Sequence, residues 1–111
     1  MKTVEGTLIK LDRRALPPTA RAVVRLEDVS LMDAPARIIT EQAIEPAGQV
    51  PIAFSLAYDP ARIDERMTYA VRGQIFVEGR LVYTSTTHYP VLTRGAPDRV
   101  EILLEPVPAT R

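Results

Sequence analysis

The chain has 111 residues, ten prolines against five glycines, no cysteine, no tryptophan, and 14 acidic against 14 basic side chains. Its length and 46% hydrophobic content describe one domain, residues 1–111, that buries roughly 65% of its unfolded surface. These numbers exclude a disulfide framework, thiol catalysis, cysteine-ligated metal, the broad basic field that nucleic-acid binding draws on, and any apolar run of the ~18–20 residues that span a bilayer.

The prolines, at 17, 18, 35, 46, 51, 60, 90, 97, 106 and 108, leave a long helix almost no room. The intervals between them read as strands. Thr3–Lys10 is the first, and Gly6 within it signals a bulge or close packing. Ala20–Val29 alternates, with Ala20, Ala22, Val24 and Leu26 on one face and Arg21, Arg25 and Glu27 on the other. Val23 interrupts that polar face and points to partial cover. Arg37–Ile44 is bracketed by Pro35 and Pro46 and reads as a strand, although its Ala, Glu and Gln also favour helix.

Val50–Tyr58 gives the clearest alternation: Ile52, Phe54, Leu56 and Tyr58 face one way, and Ala53, Ser55 and Ala57 the other. Asp59-Pro60 then caps a turn or a single helical turn through Asp64. Thr68–Glu78 places Tyr69, Val71, Gly73, Ile75 and Val77 on one face. Glu78-Gly79 links it as a hairpin to Arg80–Thr87. Arg99–Glu105 closes the chain with Val100, Ile102 and Leu104 inward, and 106–111 reads as a frayed tail because of its two prolines. The spacing predicts an all-β domain, an antiparallel β-sandwich of about seven strands, immunoglobulin- or transthyretin-like.

Few constellations can carry chemistry. His88 is the only histidine, and a triad would need it as base with Ser30, Ser55 or Ser85 as nucleophile. Ser85 lies three residues before it on the same predicted strand, so the two should face opposite sides. There is no nucleophile elbow and no glycine-rich phosphate loop. One histidine and no cysteine predict no zinc or copper site, and no cofactor is expected. Asp28, Asp33, Asp59 and Asp64 fit turn and cap chemistry. Paired catalytic carboxylates have no cleft that the sequence can locate.

Two segments stand apart. Asp28–Pro35 carries Leu31 and Met32 where a loop is expected, and Tyr89–Gly95 is apolar as far as Leu92 and ends in a turn at Arg94-Gly95. Both fit lids over the core. Both also fit a partner surface, with Leu31, Met32, Tyr89 and Leu92 as contacts and Arg94 on the rim.

The residues Val24-Arg25-Leu26-Glu27-Asp28-Val29-Ser30-Leu31-Met32-Asp33-Ala34-Pro35, then Phe54-Ser55-Leu56-Ala57-Tyr58-Asp59-Pro60 with Ile63, then Tyr69-Ala70-Val71-Arg72 and Tyr89-Pro90-Val91-Leu92-Thr93-Arg94-Gly95, lie in order within Ala20–Gly95, a stretch of about two-thirds of the chain. In that order they resemble the YbaY-type lipoproteins and the YscW-type pilotins of type III secretion. The resemblance implies a non-enzymatic, chaperone- or pilotin-like envelope domain. Its partner would be a protein or peptide of the envelope, such as the C-terminal segment of a secretin. It implies a periplasmic domain held at the outer membrane by a lipid anchor that this chain does not carry. If the gene starts at Met1, a cytoplasmic location replaces it. A structural or stress-related domain without a peptide partner, and a small hydrolase or sugar-binding domain, are the competing readings.

Overall fold

A computed structural model describes residues 1–31 and 34–108. Eight strands form one mixed sheet that curls towards a barrel: β1 (Lys2–Lys10), β2 (Ala20–Asp28), β3 (Arg37–Ile44), β4 (Ile52–Tyr58), β5 (Tyr69–Val77), β6 (Arg80–Ser85), β7 (Tyr89–Val91) and β8 (Arg99–Pro106). The strand order is β3-β2-β5-β6-β8-β1-β4, with β7 also paired to β5. A 3-10 turn, Pro60–Arg62, follows β4, and Asp59 caps it by accepting from the Ala61 N–H.

The expected antiparallel sandwich is corrected in two respects. First, β1 and β8 pair in parallel, from Glu5↔Arg99 to Lys10↔Leu104. Period-two alternation sets which face of a strand is buried but not its partner or direction. Second, Tyr89–Val91, read as a loop, forms strand β7 against Tyr69–Val71. Three residues with a central proline give almost no strand signal. Pro90 is tolerated because the strand is short and marginal.

The inward faces follow the alternation closely. Val4, Leu8, Val24, Leu26, Leu56, Ile75, Ile102 and Leu104 are sealed in the core. Each such side chain contributes about 1.5–3 kcal/mol through removal from water. A bulge in the β2–β3 ladder pairs Leu26 with Thr40 but Glu27 with Ile38, leaving Ile39 as the extra residue. That residue turns into the core. Gly6 is a site of close packing, not a bulge, since its pairing with β4 is unbroken from Lys2 to Leu8.

The outer face of β2 is more covered than its charges foretell. Val23 and Glu27 are both buried. Long side chains lie along this face. Arg72 Nε donates to Glu27 at 3.2 Å, Arg25 Nε to Glu41 at 3.1 Å, and the Arg21 guanidinium stands 5.4 Å from the Phe76 ring centroid. Arg72→Ala strands the Glu27 carboxylate in a buried setting and is expected to cost about 2 kcal/mol in urea unfolding. Adding Glu27→Gln should recover about half of that loss. Equal stability of Arg72→Ala and the parent would contradict this account of the pair.

The end of the barrel opposite the β2–β3 connection is closed by a polar knot. The Lys10 ammonium donates to Asp12 at 2.6 Å and to the Arg14 carbonyl, and lies 5.3 Å from the Tyr83 ring centroid. The Tyr83 hydroxyl donates to Asp12 at 2.7 Å. These donors, Lys10 foremost, hold the Asp12 carboxyl well below the usual carboxylate range. Burial, chiefly, pushes the Tyr83 phenol up. Leu16 and the Gln49 side chain exchange two hydrogen bonds of 2.8 Å each, fastening the β1–β2 connection. At the chain's end β8 includes Pro106, and Val107 N–H donates to the Val82 carbonyl.

Candidate functional site

The connections between β2 and β3, β4 and β5, and β7 and β8 meet at one end of the barrel. Local turn chemistry shapes each. Asp28 Oδ1 accepts from the Ser30 N–H at 3.0 Å and from the Ser30 hydroxyl at 2.6 Å. Asp64 Oδ1 accepts from the Arg66 N–H at 2.9 Å, and Arg66 closes a second contact to Oδ2 at 2.9 Å. Arg66, mainly by that side-chain bond, draws the Asp64 carboxyl down to about 2. The turn roles expected of Asp28, Asp59 and Asp64 are thus the observed ones. Asp33 lies outside the described residues.

Longer-range bonds then tie the connections together. Thr68 N–H donates to Ser30 Oγ at 2.8 Å, and Val29 N–H to the Thr68 carbonyl at 2.9 Å. Thr93 Oγ1 donates to the Met67 carbonyl at 2.7 Å, and Arg94 to the Arg66 carbonyl at 2.9 Å. Tyr69, at the start of β5, accepts from the Asp64 N–H through its hydroxyl at 2.9 Å. Residues 66–68 are therefore the hub of this end.

A hollow of about 320 Å³ opens beside the hub. Tyr69 is its buried floor, and Leu31, Pro35 and Met67 give it an apolar rim. Leu31 is 74% exposed and Met67 36%. Asp28, Arg37, Arg62 and Asp64 line the remaining sides. Arg37 stands 3.6 Å from Asp28, and Arg62 donates to the Ile39 carbonyl at 2.7 Å. The carboxylates are engaged by neighbouring donors, so the hollow offers an apolar seat with hydrogen-bonding edges. A small ligand pocket of this size is feasible on volume alone.

Of the five residues expected to contact a partner, Leu31, Leu92 and Arg94 stand in the connections that meet at this end, and of these three Leu31 alone lines the hollow. Met32 lies outside the described residues. Tyr89 and Leu92 are half-buried and packed against the core, as lids would be. Leu92 takes a φ of +71°, an uncommon backbone state for leucine. The Tyr89 hydroxyl accepts from the Leu103 N–H at 2.9 Å. Sequence reasoning missed Met67 and Arg62. The available signal was an apolar residue directly after Arg66, in a stretch whose other residues serve turns.

His88 does not face away from Ser85, as expected from a shared strand. β6 stops at Ser85, so the chain bends before His88. Both residues border a hollow of about 100 Å³ together with Glu27. No hydrogen bond joins the three among the described residues. Ser85 Oγ accepts from the Gly73 N–H, Glu27 is held by Arg72, and His88 is exposed. The volume is below what a substrate pocket needs.

Residues 1–104 match the family model described as type III secretion system lipoprotein chaperone (YscW). The chain belongs to the YscW family. It is 33% identical over 108 residues to the lipoprotein YbaY of Escherichia coli strain K12, covering 96% of this chain. The chain spans 56% of that relative's length. A solved structure, an alternative pilotin from the type II secretion system of Vibrio cholerae, matches with a TM-score of 0.93 and 39% identity. That match covers 97% of this chain and 98% of the pilotin. The YscW-family resemblance read from the ordered motifs thus holds across nearly the whole chain.

Proposed function

We propose that this YscW-family domain works as a pilotin-like chaperone of the bacterial envelope. It binds a segment of an outer-membrane secretion protein, of the secretin kind, and acts by binding and not by catalysis. The observation that carries the reading is the loop-end hollow, where exposed Leu31 and Met67 stand over the Tyr69 floor. Apolar side chains held out at the rim of a fixed hollow suit an apolar anchor from a partner segment. The likeness to a type II secretion pilotin supports the kind of partner. Lipoprotein relatives support an outer-membrane-anchored location. A structural domain without a partner would have no use for such a rim.

The double variant Leu31→Asp, Met67→Asp tests this. Both side chains are exposed, so stability should stay within about 0.5 kcal/mol of the parent. Affinity for the C-terminal segment of the secretin from the same organism, measured by calorimetry, should fall about tenfold or more. Unchanged affinity, or no binding by the parent, rules the proposal out.

A further inference from the structure

The loop-end hollow has a one-sided stock of unused hydrogen-bonding side chains. Its two carboxylates are matched. Asp28 accepts twice from Ser30 and has Arg37 3.6 Å away. Asp64 accepts from the Arg66 N–H, Nε and Nη2 at 2.9, 3.2 and 2.9 Å. Arg62 is the lining charge left over. Among the described residues no carboxylate stands within salt-bridge distance of it. Its guanidinium is nevertheless fixed. The Asp59-capped turn carries it, and Nη1 donates to the carbonyl of Ile39, the residue that the β2–β3 bulge leaves unpaired. The rest of its planar fork of donors makes no other hydrogen bond among the described residues.

The second unused donor is the Tyr69 hydroxyl. Tyr69 is 1% exposed. Its oxygen accepts from the Asp64 N–H, but its own hydrogen reaches no acceptor among the described residues. Buried hydroxyls are normally satisfied in both senses, so this one lacks an acceptor. Tyr69, Asp64 and Arg62 all line the hollow. An acceptor with negative charge and two oxygens, a carboxylate, completes such a site. The rim of Leu31 and Met67 calls for an apolar group beside it. At about 320 Å³ the space is at the small end for a bound ligand, so the carboxylate and the apolar group must lie within one residue of each other. The last residue of a chain carries both on a single Cα. An internal aspartate or glutamate needs a neighbour for the apolar part and brings main chain in on both sides.

Taking the hollow as the partner site of the proposed function, we propose that it reads a free C-terminus ending in an apolar residue. The last side chain lies between Leu31 and Met67 over the Tyr69 ring. The α-carboxylate accepts from the Arg62 fork and from the Tyr69 hydroxyl. Arg62 is the residue that distinguishes a chain end from a passing segment.

An N-acetylated tetrapeptide ending in leucine is the probe, titrated into the intact chain as the free acid and as the C-terminal amide. NMR shifts should gather at Met67, Tyr69 and Arg62 Nε. The free acid should bind with a Kd on the order of 1 mM, about tenfold tighter than the amide. Arg62→Gln should bring the two forms within about twofold of each other, and Arg62→Lys should keep part of the preference. An amidated peptide with an internal glutamate beside leucine should bind no better than the plain amide. Equal affinity of acid and amide, a preference that survives Arg62→Gln, tighter binding of the internal acid, or shifts confined to other residues overturns the proposal. If Arg62→Gln does not fold by circular dichroism, the acid-to-amide ratio in the parent decides. The secretin C-terminal segment, compared in the same two forms, separates this proposal from the function it builds on. Equal binding of both forms keeps the secretin partner and overturns the chain-end reading. Acid-selective binding of the tetrapeptide without binding of the secretin segment keeps the chain-end reading and overturns that partner.

Discussion

Gly6→Ala is expected to destabilise the chain by about 3 kcal/mol or more, read as a lower midpoint in urea unfolding. A β-carbon at Gly6 would lie 1.9 Å from the Val100 carbonyl oxygen and 2.9 Å from Phe54 Cζ. The oxygen belongs to β8, whose Val100 is the parallel partner of Gly6. It is backbone, fixed in the middle of the sheet, and cannot swing aside. Gly73→Ala is the control. There the new atom first meets Leu8 Cδ2 at 2.7 Å and then Leu104 Cδ2 at 3.3 Å, both ends of rotatable side chains. Its cost should be about 1–2 kcal/mol. A reversed order of the two variants would mean that β1 and β8 do not approach as described.

Tyr69→Ala should cost about 4 kcal/mol, because a fully buried aromatic side chain is replaced by a cavity. Its consequences also reach the loop end. Tyr69 is the floor of the hollow and the acceptor for the Asp64 N–H. Tyr69→Phe separates the two roles. It keeps the ring, removes the acceptor and should cost about 1 kcal/mol. Hydrogen exchange at the Asp64 amide should quicken in Tyr69→Phe while the β2 core amides stay protected. An Asp64 amide that exchanges as in the parent would show that the hydroxyl does not hold the turn.

Legibility followed the physics of each signal. β4 was plain because Ile52, Phe54, Leu56 and Tyr58 alternate with small residues and the sheet buries one face only. The Asp59-Pro60 cap was plain because it depends on two adjacent residues. Strand partners were not, since direction and neighbour depend on contacts far apart in sequence. The parallel β1–β8 pair and the β7 strand fall in this class. Glu27 stood on the polar face with Arg21 and Arg25, and its burial was not legible because its cover comes from Arg72 on another strand. At the loop end, Leu31 stood out with Met32 as an apolar pair where a loop is expected. Met67 and Arg62 acquire meaning only when Tyr69 brings their turn beside Ser30.

The parallel pairing of β1 with β8 has a consequence for how the chain is made. The first strand finds one of its two neighbours, β8, only in the last. A growing chain of β1 to β7 lacks the strand that bridges β6 to β1, so its ladders fall into two pieces, β3-β2-β5-β6 with β7, and the β1–β4 pair. Contacts this distant in sequence slow folding, because a long loop must close before they form. The β1–β8 ladder therefore cannot form until residue 99 and those after it are available, and closure of the sheet is a late step.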